Sequence, residues 1–330
     1  MADTPELQSQ VPHIGFVVNE KAYCLWDVET YAERTLEFVR GIDPTYFDHI
    51  ASIHGELLEG EEKQYAATAL RIAYTQGLET LFALICAVVQ APYCVAGWVL
   101  RYTNKDLYEL VKMINEQQPV VTQLVNKKVS WQAIADLIFS NLKMEDDAKD
   151  KELRTCFANL WKRFAKDYLD ENNIAEYNSL KHGSRAHMGP HYLAMGLEDT
   201  PGVPAPPERM ETISASQFGS SFLVPVKLHD RRNFTVKTFR KNWQPQNMIF
   251  ALNFISMSIG NVLSFIKIFH KESFEKAPFI FPPDFDDFKK PWAEHDRMVV
   301  NWGARIEEVD VTPLTEAEIL TFYEESLPET

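Results

Sequence analysis

Along most of the chain the apolar residues recur with the period of a helix. Short amphipathic patterns over 30–39 and 45–58 are separated by Gly41-Ile42-Asp43-Pro44, and an apolar run over 13–18 reads as a strand. From Glu61 a longer pattern begins. Tyr65, Ala69, Ile72, Gly77, Leu81, Leu84, Ile85 and Val88 predict a helix that ends before Pro92. Its second half is apolar on all sides, as in a helix surrounded by partners. Thr103 is placed to cap a helix over 105–116, and Ser130 one that carries Trp131, Ile134, Leu137 and Ile138. Leu153, Phe157, Leu160, Phe164 and Tyr168 predict an amphipathic helix within 147–170, with Lys151, Lys162, Arg163 and Lys166 on its outer side. A short helix follows over 174–182, with Glu171-Asn172-Asn173 as the expected N-cap and Gly183 as its stop.

Pro201, Pro204, Pro206 and Pro207 break the helical pattern. Beyond them Phe222, Val224, Val226 and Leu228 alternate with period two, and a turn over 230–233 leads into 234–240. This is the hairpin signal of the chain, expected at about 221–241, with Pro225 pointing to an edge strand. A long uncharged stretch over 244–266 follows. It carries Asn253, Ser256, Gly260 and Ser264 in one narrow small-and-polar stripe, a pattern that fits the centre of a soluble fold better than a lipid-facing span. The stretch 277–291, with four prolines and four phenylalanines, reads as an ordered wrap anchored by its rings. The expected division is an N-terminal strand with short helices (1–60), a helical core containing the hairpin (61–270), and a Pro/Phe-rich wrap with an irregular acidic tail (271–330).

Composition keeps the chain among ordinary globular proteins: 330 residues, 45% hydrophobic and 24% charged, with few glycines. A net charge of −14 argues against indiscriminate binding of nucleic acid or anionic membrane. That charge is unevenly spread. Residues 227–241 hold six Lys/Arg (Lys227, Arg231, Arg232, Lys237, Arg240, Lys241) against Asp230, whereas 284–330 hold thirteen Asp/Glu against four Lys/Arg. A local basic surface for a phosphate-bearing ligand is therefore compatible with the acidic total, although charge on the solvent face of a hairpin also guards against aggregation. Cys24, Cys86, Cys94 and Cys156 contain no C-x-x-C pair, and the start Met-Ala-Asp-Thr-Pro-Glu lacks the order of a signal peptide. Both features predict a cytoplasmic protein with reduced thiols.

Chemistry-bearing residues concentrate over 177–187. Asn178 and His182 stand four apart, so on a helix they share a face. An imidazole can move protons near neutrality, an amide can orient it, and Lys181 and Arg185 can supply positive charge beside them. Lys-His-Gly is equally the wording of a helix C-terminus, with cations at the negative dipole end and glycine beyond it. His182, His187 and His191 are interrupted by Gly183, Gly189 and Pro190 and lack a Cys or carboxylate to complete a metal set. No phosphate-cradling glycine loop or Gly-x-Ser-x-Gly elbow is present, so no metal or cofactor is expected.

The word Tyr177-Asn178-Ser179-Leu180-Lys181-His182 resembles the HEPN superfamily, in which an Arg and a polar residue, often Asn, precede a His. Asn178 and His182 match, and Tyr177 stands where the Arg would be. The resemblance implies a mainly α fold with a HEPN-like helical bundle, a homodimer, and an RNA or nucleotide-like ligand, with metal-independent RNA cleavage in stress or phage defence as the catalytic form. The site it implies has His182 as acid/base, Asn178 as its partner and Arg185 as charge stabiliser. Lys181, Tyr177, Arg231, Arg232 and Lys237 would then contact the ligand. The alternatives are a non-enzymatic interaction module with a degenerate motif, and an enzyme for a small anionic metabolite.

Overall fold

A computed structural model describes residues 17–18, 21–22, 28–120, 128–183, 185–227, 234–289, 296–298, 302–306 and 312–326. Contacts divide the chain into a unit of Met1–His182 with Trp243–Arg297 and a unit of Gly183–Asn242 with Met298–Thr330. The chain is mainly α, with small antiparallel sheets.

The first unit begins with the two-residue strands β1 (Val17–Val18) and β2 (Lys21–Ala22) and continues through α1 (Tyr31–Arg40), α2 (Tyr46–Glu56), α3 (Lys63–Gln90) and α4 (Val95–Arg101). It goes on with α5 (Asn104–Asn115), α6 (Trp131–Ile138), α7 (Asp147–Tyr168) and α8 (Glu171–Lys181), and after the second unit's strands it resumes with α9 (Pro245–Phe269). Local chemistry fixes the helix ends. Thr103 and Asp106 form a reciprocal capping box at α5, and the Ser130 hydroxyl accepts the Ala133 N–H at α6. At α7 the Asp146 carboxylate accepts from the N–H groups of Ala148 and Lys149. At α8 the cap is Asp170, not the expected 171–173, because its carboxylate reaches the N–H groups of Asn172 and Asn173 at 2.8 and 3.2 Å. Helix α8 stops where Gly183 takes φ +67°, a left-handed value that glycine adopts without strain.

Helices α3 and α9 cross at the centre of this unit. A Cβ on Gly77 would sit 2.9 Å from Ile255 Cγ2, so glycine permits the close approach. Both helices are long and apolar enough to cross a membrane, but 67% and 78% of their most apolar windows are buried inside the protein, which already covers that surface. The small-and-polar stripe of α9 has local partners. Ser256 accepts the Asp48 N–H at 3.0 Å, and Ser264 donates to the Pro278 carbonyl at 2.7 Å. Between them on the helix Asn261 both donates to and accepts from the Ile280 backbone at 2.7 Å. The last two contacts tie down the expected wrap, whose Phe279 and Phe288 rings pack on Phe139, Phe157 and Phe254.

The second unit contains β3 (Ala186–Met188), β4 (His191–Met195), β5 (Glu211–Ser216), β6 (Gly219–Lys227) and β7 (Phe234–Trp243, its last residue in the first unit). After β8 (Asp296–Met298) come β9 (Trp302–Ile306) and α10 (Glu316–Ser326). The predicted hairpin is the β6/β7 pair, with Phe222 opposite Phe239. Its turn lies outside the described residues. Strand β3 covers only Ser220–Phe222 on the other edge of β6, so Pro225 falls where that edge has no β3 partner. Strand β9 pairs with β7, and β4 with β5 as a separate ribbon. Three expectations are corrected here. The hairpin belongs to the second unit instead of the helical core, and it is one part of a larger sheet system. The tail also carries the helix α10 and the strands β8 and β9 where irregular structure was expected.

Candidate functional site

Helix α8 turns Ile174, Tyr177, Asn178 and Lys181 to one side, at helical intervals of three and four, toward a cavity of about 340 Å³. Facing them, α3 contributes Arg71, Tyr74, Thr75, Leu78 and Glu79, again one helical face. The remaining wall comes from Asn104, Lys105 and Tyr108 of α5, Asp167 and Tyr168 of α7, and Asn173. Burial orders these residues by depth. Arg71, Tyr74 and Leu78 are buried at the floor, the tyrosines of the wall are half-buried, and Asn104, Lys105, Asn178 and Lys181 are exposed at the mouth.

The floor is held by a buried polar network. Arg71 Nε donates to Glu176 Oε2 at 2.9 Å and Nη2 donates to Asn173 Oδ1 at 2.8 Å, with both charged side chains 2% exposed or less. The second carboxylate oxygen of Glu176 accepts from Trp243 Nε1 at 2.8 Å. Tyr74 donates to Asp167 at 2.6 Å, and the Asn173 amide donates to the Asp167 carbonyl at 2.9 Å. The guanidinium charge at the floor is therefore balanced by Glu176, and the mouth carries the cations with the freest access to solvent.

Glu79 dominates the electrostatics of the wall. The Tyr102 hydroxyl approaches it at 3.4 Å, and burial followed by the Glu79 charge pushes that phenol up to about 12. Tyr168 and Tyr177 are raised by the same two causes in the same order, the latter opposed by a hydrogen bond from Gln76. All three phenols are consequently neutral at physiological pH. Tyr177 and Glu79 also line a second, more open cavity of about 610 Å³ with Asp43, Tyr46, Gln76 and Tyr102.

No protein-family model, curated protein or solved structure matches this chain. Tyr177, Asn178 and Lys181 line the cavity together, and the Lys181 ammonium lies 6.0 Å from the Tyr177 ring centroid. His182 is exposed at the C-cap of α8, with its backbone N–H bonded to the Leu180 carbonyl, and is not among the cavity residues. Arg185 is exposed in the second unit. Arg231 and Arg232 lie outside the described residues. Lys237 is half-buried in β7, where alternation puts it and the buried Lys241 on the Phe239 side of the sheet and Arg240 on the other, in register with Ser221 and His187. The interleaved cations of the hairpin are thus divided between two faces. Among the described residues no cluster of three His, Cys, Asp or Glu has metal-binding geometry. Sequence reasoning missed Arg71, Tyr74, Asp167 and Glu176. The signal for the first was an arginine at position i+4 from Ala67 and i−3 from Tyr74 on an otherwise apolar face of α3.

Proposed function

We propose that the chain is a HEPN-like helical protein that binds a nucleotide-like anion in the cavity between α3, α5, α7 and α8, without a phosphodiester-cleaving centre at His182. The observation that carries this reading is the graded lining of that cavity, with tyrosine walls and Asn104, Lys105, Asn178 and Lys181 at the mouth. Tyrosine faces stack on a heterocycle, and ammonium and amide groups at the mouth bind phosphate oxygens. The volume lies within the small-ligand range. Tyr177 occupies the place of the motif arginine as a neutral wall residue, and His182 caps a helix, which favours binding over catalysis. The homodimer belongs to the same proposal.

Calorimetric titration of the full chain with GMP, AMP, CMP and UMP tests it. Binding of at least one nucleotide is expected, weakened about tenfold or more by Lys181→Glu, which replaces a charge-assisted contact by repulsion, and unaffected by His182→Ala. Binding of none, or indifference to Lys181→Glu, overturns the proposal. RNA cleavage that His182→Ala abolishes would restore the ribonuclease reading.

A further inference from the structure

The mouth of the cavity explains where a phosphate would sit but not which base the walls would choose. The wall groups differ sharply in what they offer. Tyrosine faces accept any base, and Asp167 is already engaged by the Tyr74 hydroxyl at 2.6 Å. Arg71 is held by Glu176 and Asn173. Glu79 is the wall carboxylate whose hydrogen bond among the described residues is long, 3.4 Å from the Tyr102 hydroxyl, and it borders both cavities.

A carboxylate only accepts hydrogen bonds, and its two oxygens suit two parallel donors. Among the common bases, guanine presents such a pair on its Watson–Crick edge, N1–H beside the N2 amino group. Adenine and cytosine set an acceptor nitrogen beside their amino group, and uracil flanks its single N–H with two carbonyl oxygens that a carboxylate repels. Hypoxanthine keeps N1–H and loses the amino group. We propose that Glu79 is the base-selecting residue of this cavity and that the ligand class is a guanine nucleotide, its N1–H and N2–H donated to the Glu79 carboxylate and its phosphate held at Lys105 and Lys181. This rests on the nucleotide reading above and narrows it to one base. The neutral phenols of Tyr168 and Tyr177, which line this cavity with the carboxylate, add stacking surface and no competing charge.

The test compares GMP with IMP and AMP by calorimetry on the full-length wild type and on Glu79→Gln. The wild type is expected to bind GMP about tenfold or more tighter than IMP, the discrimination typical of a lost donor in a bidentate pair, and Glu79→Gln to bring the GMP-to-IMP ratio close to one. Equal wild-type affinity for GMP and IMP overturns the guanine assignment while leaving nucleotide binding in place, and needs no variant to be folded. An unchanged ratio in a Glu79→Gln protein with wild-type circular dichroism overturns the role of Glu79. Binding of no nucleotide overturns this inference together with the reading beneath it.

Discussion

Glu176 shows how much a single side chain can organise without being exposed. One carboxylate oxygen receives Arg71 and the other receives Trp243, so α8, α3 and the end of β7, just ahead of α9, meet at one residue. A buried ion pair contributes little net stability compared with a well-packed apolar pair, but removing one partner strands the other charge away from water. Glu176→Gln keeps the size and an acceptor for Trp243 while leaving the Arg71 charge uncompensated. A loss of about 3–5 kcal/mol is expected, read as a drop in the urea midpoint, and a change under 1 kcal/mol would show that the pair is dispensable. The two members were unequally visible in the sequence. Arg71 breaks an apolar stripe and so advertises a buried partner, whereas Glu176 stands among Asn172, Asn173, Glu171 and Asn178 in a helix polar nearly all round, where one more carboxylate carries no signal.

At the scale of elements, helix boundaries were legible because capping is local. Thr103, Ser130 and Gly183 act on backbone groups within a few residues. The strands β3, β4 and β5 were not legible. They are short, and alternation in 186–216 is blurred by a register shift between Leu193 and Ala194. The cavity was half legible for a related reason: Tyr177, Asn178 and Lys181 form a readable local word, but the opposing face of α3 is brought to it by tertiary packing alone. The α3/α9 crossing depends on an absent side chain. Gly77→Val would drive two methyl groups into Ile255, whose branched Cγ2 would already stand 2.9 Å from a bare Cβ. Overpacking of this kind costs about 1–3 kcal/mol. Thermal unfolding of Gly77→Val should show that loss, and a melting point equal to wild type would mean the crossing can widen freely.

Across the whole molecule, the chain leaves the helical unit after His182 and re-enters it at Trp243. Trp243 returns to α8 itself, at Glu176, so the excursion begins and ends near the same helix. Replacing 183–242 by a Gly/Ser linker of about ten residues, which spans such a gap as a flexible coil, and ending the chain at 297 should leave a folded helical unit. Retention of the full-length nucleotide affinity is the expected readout. A chain without helical circular dichroism would show that the first unit needs the second. The same discontinuity sets a timetable for synthesis. Helix α3 emerges from the ribosome long before its central partner, because Pro245–Phe269 lie more than 150 positions downstream. At 5–20 residues per second the apolar flank of α3 waits roughly 10–30 s for cover. Throughout that interval α3 keeps open the face that α9 will cover, while α2, already synthesised, and then α4, α5, α7 and α8 pack against its other sides, so the hazard of a slow ribosome falls on one face of one helix.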